Sequence, residues 1–287
     1  MTLYIMYPVE HMMKKPITLN SDATISDAMK IIVNKKIGRI LVTENQKVVA
    51  IVTEKDLVFF LLNDQSEKKI EEIPLKTIIK TILSVSESNS IKGCAKKMME
   101  NTIGSLAIKR NEEIIGIITK TDMIEYFAKT QQGKKTVGEY MSPYYAWEYA
   151  DAPLYSIVSK MTKDKISRLV LRNHDEVPVG IVSFSDLFKL SLTIGNQKEV
   201  VDDSNPSIPI VFPRKGFVSK EGFGGTIKAS QIMNDEIVTV NYDDDLAKAS
   251  KILIDKKING VGVLSSNGVL IGILSKTDVI KAMAFLD

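Results

Sequence analysis

One pattern occurs four times along the 287 residues of this chain, and it limits the fold more than any other feature. Each occurrence opens with an amphipathic helix, starting at Ile25, Ile91, Leu154 and Leu246. Small or apolar residues fall at i, i+3, i+4 and i+7: Ile25/Ala28/Met29/Ile32, Ile91/Cys94/Ala95/Met98, Leu154/Ile157/Val158/Met161 and Leu246/Ala249/Ser250/Leu253. That spacing predicts one buried stripe per helix. Cap-forming clusters precede the helices: Ser21-Asp22, Ser88-Asn89-Ser90, Asp151 and Asp243-Asp244-Asp245.

A strand follows each helix: IGRILV at 37–42, IGSLAI at 103–108, ISRLVL at 166–171 and INGVGV at 258–263. Turn residues come next (Asn45, Asn111, Asn173, Asn267-Gly268), and then return strands ending in AIVTEKD, GIITKTD, GIVSFSD and GILSKTD. The distance from helix anchor to closing aspartate is 31 residues in the first two units (25 to 56, 91 to 122) and 32 in the last two (154 to 186, 246 to 278). A unit of one helix face and a small sheet buries little by itself, so neighbours should pair. The expected organisation is a pair in 1–134 (repeats at about 9–62 and 75–128) and a pair in 135–287 (about 137–192 and 227–284), with an insertion at about 193–226. The polar run Gln131 to Lys135 serves as the linker.

Composition narrows the class. With 44% hydrophobic and 25% charged residues the chain reads as globular. Its apolar runs, such as Val48 to Val52, are far shorter than the roughly 20 residues that span a bilayer. The start MTLYIMYPVE lacks a basic, cleavable leader, and the single cysteine, Cys94, points to a reducing interior. A cytoplasmic protein without a membrane partner is expected. A net charge of +3 does not by itself imply nucleic-acid binding.

The repeated G-h-h-[TS]-x-x-D, with h apolar, resembles the CBS domain family. Repeats two, three and four match it in full, and repeat one has Ala50 in place of the glycine. Pairs of such repeats look like Bateman modules. The resemblance implies an α/β (α+β) fold of four βαββα CBS repeats paired into two Bateman modules. It also implies clefts for AMP, ADP, ATP or S-adenosylmethionine and control of a separate protein. A homodimer would be compatible with it.

The family's contact positions carry over as follows. The closing motif supplies Thr53 and Asp56; Thr119, Thr121 and Asp122; Ser183, Ser185 and Asp186; and Ser275, Thr277 and Asp278. The strand before each first helix supplies Thr18, Ser84 and Thr239, with Trp147 in repeat three, and the basic position supplies Arg39 and Arg168. The chemistry of these residues agrees: a carboxylate accepts from a ribose diol, and a helix start presents N–H groups to an anion. A lone T-x-x-D, however, is also simply a helix cap. The lysines at 35–36, 163, 165 and 256–257 suit either phosphate or helix ends.

His11 and His174 lie in no metal-like cluster, and no nucleophile–base or phosphate-loop motif occurs, so neither a metal nor an enzyme activity is expected. Cys94 reads as a core residue. The aromatic run Tyr144 to Tyr149 reads as a packing seam or a base-stacking surface. In the insertion, Phe212, Arg214, Lys215, Phe217 and Lys220 form a candidate docking arm for a protein partner or RNA, and a spacer is the alternative. Some stand-alone four-repeat CBS chains of archaea resemble ribosome-bound dormancy factors, which gives a second functional expectation: a ribosome- or RNA-associated hibernation factor gated by nucleotide.

Overall fold

The structure is a computed structural model that describes residues 9–64, 68–193 and 223–285. The first repeat runs β1 (Thr18–Asn20), α1 (Ile25–Lys35), β2 (Arg39–Glu44), β3 (Lys47–Thr53) and α2 (Glu54–Asn63). A short strand, β4 (Lys80–Thr81), precedes the second: β5 (Ser84–Ser86), α3 (Ile91–Glu100), β6 (Ser105–Arg110), β7 (Glu113–Thr119) and α4 (Lys120–Thr130). The third comprises β8 (Trp147–Tyr149), α5 (Leu154–Lys163), β9 (Arg168–Arg172), β10 (Pro178–Ser183) and α6 (Phe184–Thr193). After a short α7 (Phe223–Thr226), the fourth comprises β11 (Thr239–Asn241), α8 (Leu246–Asp255), β12 (Gly260–Leu264), β13 (Leu270–Ser275) and α9 (Lys276–Ala284). Every repeat is therefore βαββα.

The helical stripes read from the sequence are the buried faces of α1, α3, α5 and α8. The caps differ in part from the expected clusters. Thr24, and not Ser21-Asp22, caps α1, in a capping box with Asp27. Ser90 and Asp245 cap α3 and α8, while α5 opens on Pro153 and not on an Asp151 cap. Proline is tolerated there because no helical N–H is lost. Each helix is followed by a residue in the left-handed region, Lys36, Thr102, Lys165 or Lys257, with φ of 51°, 53°, 54° and 55°. Three of the lysines noted as phosphate neighbours thus stand where the chain leaves the negative end of a helix dipole. The first two hairpins turn at Asn45-Gln46 and Asn111-Glu112, all four with positive φ, as a two-residue turn of type I′ demands.

Within each repeat the first strand pairs in parallel with the second, which pairs antiparallel with the third. The first strand is an edge in all four sheets.

Two compact units result, each with its own core. One contains Ile17–Thr81 and the described parts of Ala146–Ile237, so it holds repeats one and three; in it α2 packs on α6, with Phe59 and Phe184 ring centroids 5.1 Å apart. The other holds repeats two and four, where α4 packs on α8 and α9, and α3 on α9. The grouping by helix packing therefore differs from the expected 1–134 and 135–287. The closing helices keep an apolar face beyond what their own sheet covers, and each buries it against the alternate repeat. Sequence neighbours are linked in another way, through the segments that lead into each repeat. Lys14 bridges to Ile117 of repeat two, and β4 adds to β3 of repeat one. Ser142 bridges to Ile273 of repeat four, and Asn234 to Ile181 of repeat three.

Candidate functional site

The sheet registers bring the expected residues to one end of each sheet. In repeat one Thr53 ends β3 opposite Arg39, which begins β2, and Thr18 begins β1 opposite Leu41. The same register places Ser84 opposite Ala107 and Ser105 opposite Thr119 in repeat two, and Trp147 opposite Val170 and Arg168 opposite Ser183 in repeat three. In repeat four it places Thr239 opposite Gly262 and Gly260 opposite Ser275. The two arginines thus belong to one compact unit, and Ser105 and Gly260 take their place in the other.

At that end the closing motif makes a capping box. The Thr53 hydroxyl donates to Asp56 Oδ2 over 2.6 Å and its N–H over 2.9 Å. Thr119 and Asp122 repeat these distances, Ser183 and Asp186 give 2.7 and 2.9 Å, and Ser275 and Asp278 give 2.6 and 2.7 Å. One carboxylate oxygen of each aspartate is thereby committed to the fold. Asp56, Asp122 and Asp186 are buried. Their outer oxygen meets the lead-in segment: Asp56 Oδ1 pairs with Lys80, Asp122 Oδ1 with Lys14 at 2.6 Å, and Asp186 Oδ1 accepts from Asn234 Nδ2 at 3.1 Å, with Lys189 Nζ at 3.6 Å. The Asp122 carboxylate raises the Lys14 ammonium pKa, against a smaller opposing effect of burial.

The second hydroxyls of the motif face the alternate repeat of the same unit. Lys120 donates to Thr277 at 2.8 Å and Lys276 to Thr121 at 3.0 Å, a reciprocal pair between the starts of α4 and α9. The corresponding place in the other unit holds Glu54, hydrogen-bonded to Ser185, with Arg39 and Lys189 near it. Burial raises the Glu54 carboxyl pKa, outweighing these attractive partners. Lys55 Nζ lies 5.4 Å from the Phe59 ring centre and 5.0 Å from that of Phe184.

Several contributors were not singled out by the sequence. Lys14, Lys80, Ser142 and Asn234 share one place in the lead-ins, each following Met or Ile (Met13, Ile79, Met141, Met233), and that pairing is the signal that could have found them. Lys97 and Lys160 reach back to the first strand, donating to the carbonyls of Ser84 (2.8 Å) and Trp147 (2.6 Å). Trp147 also lies beneath Arg172, 4.7 Å from ring centre to guanidinium, so the aromatic seam is partly internal to repeat three. Cys94 is buried in the core as expected. Phe212, Arg214, Lys215, Phe217 and Lys220 lie outside the described residues. Among the described residues no cluster of metal-binding side chains occurs, and no helix is long and apolar enough to cross a membrane.

The CBS domain family model matches residues 9–63, 70–129, 137–193 and 229–285. The chain belongs to the CBS domain family. Its matched repeats include the lead-ins, which the closing motif alone does not reveal. The MJ1225 protein of Methanocaldococcus jannaschii is 21% identical over 294 residues, 94% of this chain and 96% of that one. The crystal structure of MJ1225 superposes with a TM-score of 0.76 at 20% identity, covering 96% of this chain and all of that one, and so shares the four-repeat fold. A conserved protein of Pyrococcus horikoshii superposes with a TM-score of 0.63 at 18% identity over 96% of this chain and 99% of that one. A 33.4 kDa protein in a ribosomal RNA operon of Thermofilum pendens is 26% identical over 214 residues, 70% of this chain and 69% of that one.

Proposed function

We propose that this CBS protein binds an adenosyl ligand, AMP, ADP, ATP or S-adenosylmethionine, and regulates a separate protein instead of catalysing a reaction. The observation that carries the reading is the closing loop. In repeats one to three a carboxylate fixed through one oxygen turns the other outward, beside a helix start and a polar lead-in residue. A ribose diol offers two donors to such an oxygen, and Lys14 or Lys80, released from the aspartate, meets a phosphate. Thr18, Arg39, Thr53, Asp56, Ser84, Thr119, Thr121, Asp122, Arg168, Ser183, Ser185, Asp186, Thr239, Ser275, Thr277 and Asp278 are the residues assigned to these clefts. Residues 1–134 and 135–287 are assigned as the two modules, supported by the exchange of lead-ins between sequence neighbours. Ligand that engages both a closing loop and the neighbour's lead-in favours one arrangement of the pair, and this differential affinity is the regulatory output.

The test is calorimetry and thermal melting with each ligand. A ligand at a hundred times its Kd stabilises by about 2.7 kcal/mol, so the binding ligand raises Tm by several degrees. Absence of heat and of a Tm shift with every adenosyl compound at millimolar concentration overturns the reading. A second reading, ribosome or RNA association, is favoured by the name of the Thermofilum pendens relative. It predicts salt-sensitive co-sedimentation with ribosomes that is lost when 206–225 is deleted.

A further inference from the structure

The four repeats differ at one helix position, whose side chain reaches the first strand in two of them. In the parallel ladder, Leu41 N–H donates to Ile17 C=O, so the intervening Thr18 turns its own N–H and C=O away from β2. Ala107 to Leu83, Val170 to Ala146 and Gly262 to Val238 repeat that bond, so Ser84, Trp147 and Thr239 likewise turn an edge-strand peptide outward. In repeats two and three a lysine from the sixth residue after the helix anchor caps this outward carbonyl: Lys97 on Ser84 at 2.8 Å and Lys160 on Trp147 at 2.6 Å. Lys160 is held further by Glu148 at 3.4 Å. The equivalent residues of repeats one and four are Ile31 and Ile252, half-buried against their cores. Among the described residues no group pairs with the outward peptide of Thr18 or Thr239.

An outward C=O with an N–H on the same residue matches the edge of adenine. The exocyclic amine donates to the carbonyl and N1 accepts from the N–H. An ammonium on that carbonyl takes one of its two lone pairs and sets a donor against the adenine amine. At Ser84 and Trp147 the adenine amine therefore meets an ammonium beside the carbonyl, donor against donor. We infer that Lys97 and Lys160 close repeats two and three to the adenine base, while Ile31 and Ile252 leave repeats one and four open to it. This rests on the adenosyl-binding reading above and assigns which clefts serve it.

The experiment is calorimetric titration of the full-length chain and its variants with AMP. Lys97→Met and Lys160→Met keep the aliphatic stem and remove only the ammonium, so folding is retained and circular dichroism checks it. The double variant should bind more AMP per chain than the wild type, and Ile31→Lys with Ile252→Lys should weaken AMP at least about tenfold, the scale of one lost hydrogen bond to a base edge. Unchanged stoichiometry in the methionine variant overturns the inference. If the isoleucine variants unfold, the methionine variant alone decides. Wild type binding no adenosyl compound overturns the general reading, and even then AMP binding gained by the methionine variant upholds the role of the lysines, while none gained overturns it.

Discussion

Lys14 Nζ lies 2.6 Å from Asp122 Oδ1, and the other oxygen of the same carboxylate is held by the Thr119 hydroxyl at 2.6 Å and its N–H at 2.9 Å. The two partners are not equivalent energetically. The Lys14 side chain is 66% exposed, so its charge is well solvated without the pair, whereas that of Asp122 is 5% exposed and closes the α4 capping box. Lys14→Ala is therefore expected to cost less than about 1 kcal/mol. Asp122→Ala should cost about 1–3 kcal/mol, from the lost cap and the half-buried Thr119 donors left unpaired. Urea unfolding of both variants checks this, and equal losses would show that the ion pair, and not the cap, holds the aspartate.

The glycine of the closing motif has a steric cause in the lead-ins. A Cβ on Gly180 would stand 2.5 Å from Met233 Sδ and 2.8 Å from the Asn234 carbonyl oxygen, which is backbone and cannot step aside. On Gly116 the near atoms all belong to the flexible Met13 side chain, with Sδ at 2.5 Å. Gly180→Ala should destabilise by about 1–3 kcal/mol and Gly116→Ala by less than about 1 kcal/mol. Melting curves that rank them the other way would place the constraint elsewhere. Repeat one already carries Ala50, opposite Thr81 of β4 and with Ile79 where the other lead-ins have methionine.

These contacts mark what the sequence could and could not disclose. Helix stripes, hairpins and closing loops follow from spacings of a few residues, so periodicity and turn chemistry exposed them fully. Asp56 and Asp122 were found for the same reason, and their capping role is local. Lys80 and Lys14 were not, because each belongs to a lead-in whose partner lies in the neighbouring repeat, and no local period encodes that distance. Helix pairing escaped for a similar reason. The leftover apolar face of α2 has α6 as its match, and adjacency in sequence gave no hint of it. Lys97 and Lys160 sit on helix faces where a lysine reads as a solvated surface residue until the strand beside it is known.

Thr102 is a β-branched residue held at φ 53°, one of four helix exits in the left-handed region and the one without a long, unbranched side chain. Its Cβ is crowded there at a cost of roughly 1–2 kcal/mol, partly offset in a glycine by greater freedom of the unfolded chain. Thr102→Gly should raise stability by about 0.5–1 kcal/mol, read as a higher urea midpoint with an unchanged slope. A lower midpoint would mean that the exposed threonine side chain contributes more than its backbone strain removes.

Glu54 gives a pH signature. Its carboxyl pKa is raised, first by burial and further by Asp186, while the Ser185 hydroxyl, Lys189 and Arg39 act the other way; Lys55 and Asp56 flank it on α2. A carboxyl whose folded pKa exceeds its unfolded value binds its proton more tightly when folded. Its contribution to stability is then fully present below the ordinary glutamate range and is lost as pH rises through the folded pKa. At neutral pH the protein carries the cost of that half-desolvated charge at the start of α2. Glu54→Gln retains an acceptor for the Ser185 hydroxyl and removes the charge, so it should raise the melting temperature at pH 7. The gain should shrink as the pH falls through the glutamate range, because the wild-type carboxyl becomes protonated and the two proteins converge. Melting temperatures of both proteins from pH 4 to pH 8 test this. A glutamine variant less stable at pH 7 than at pH 4, relative to wild type, would show that Arg39 and Lys189 outweigh desolvation and that the carboxylate is held charged.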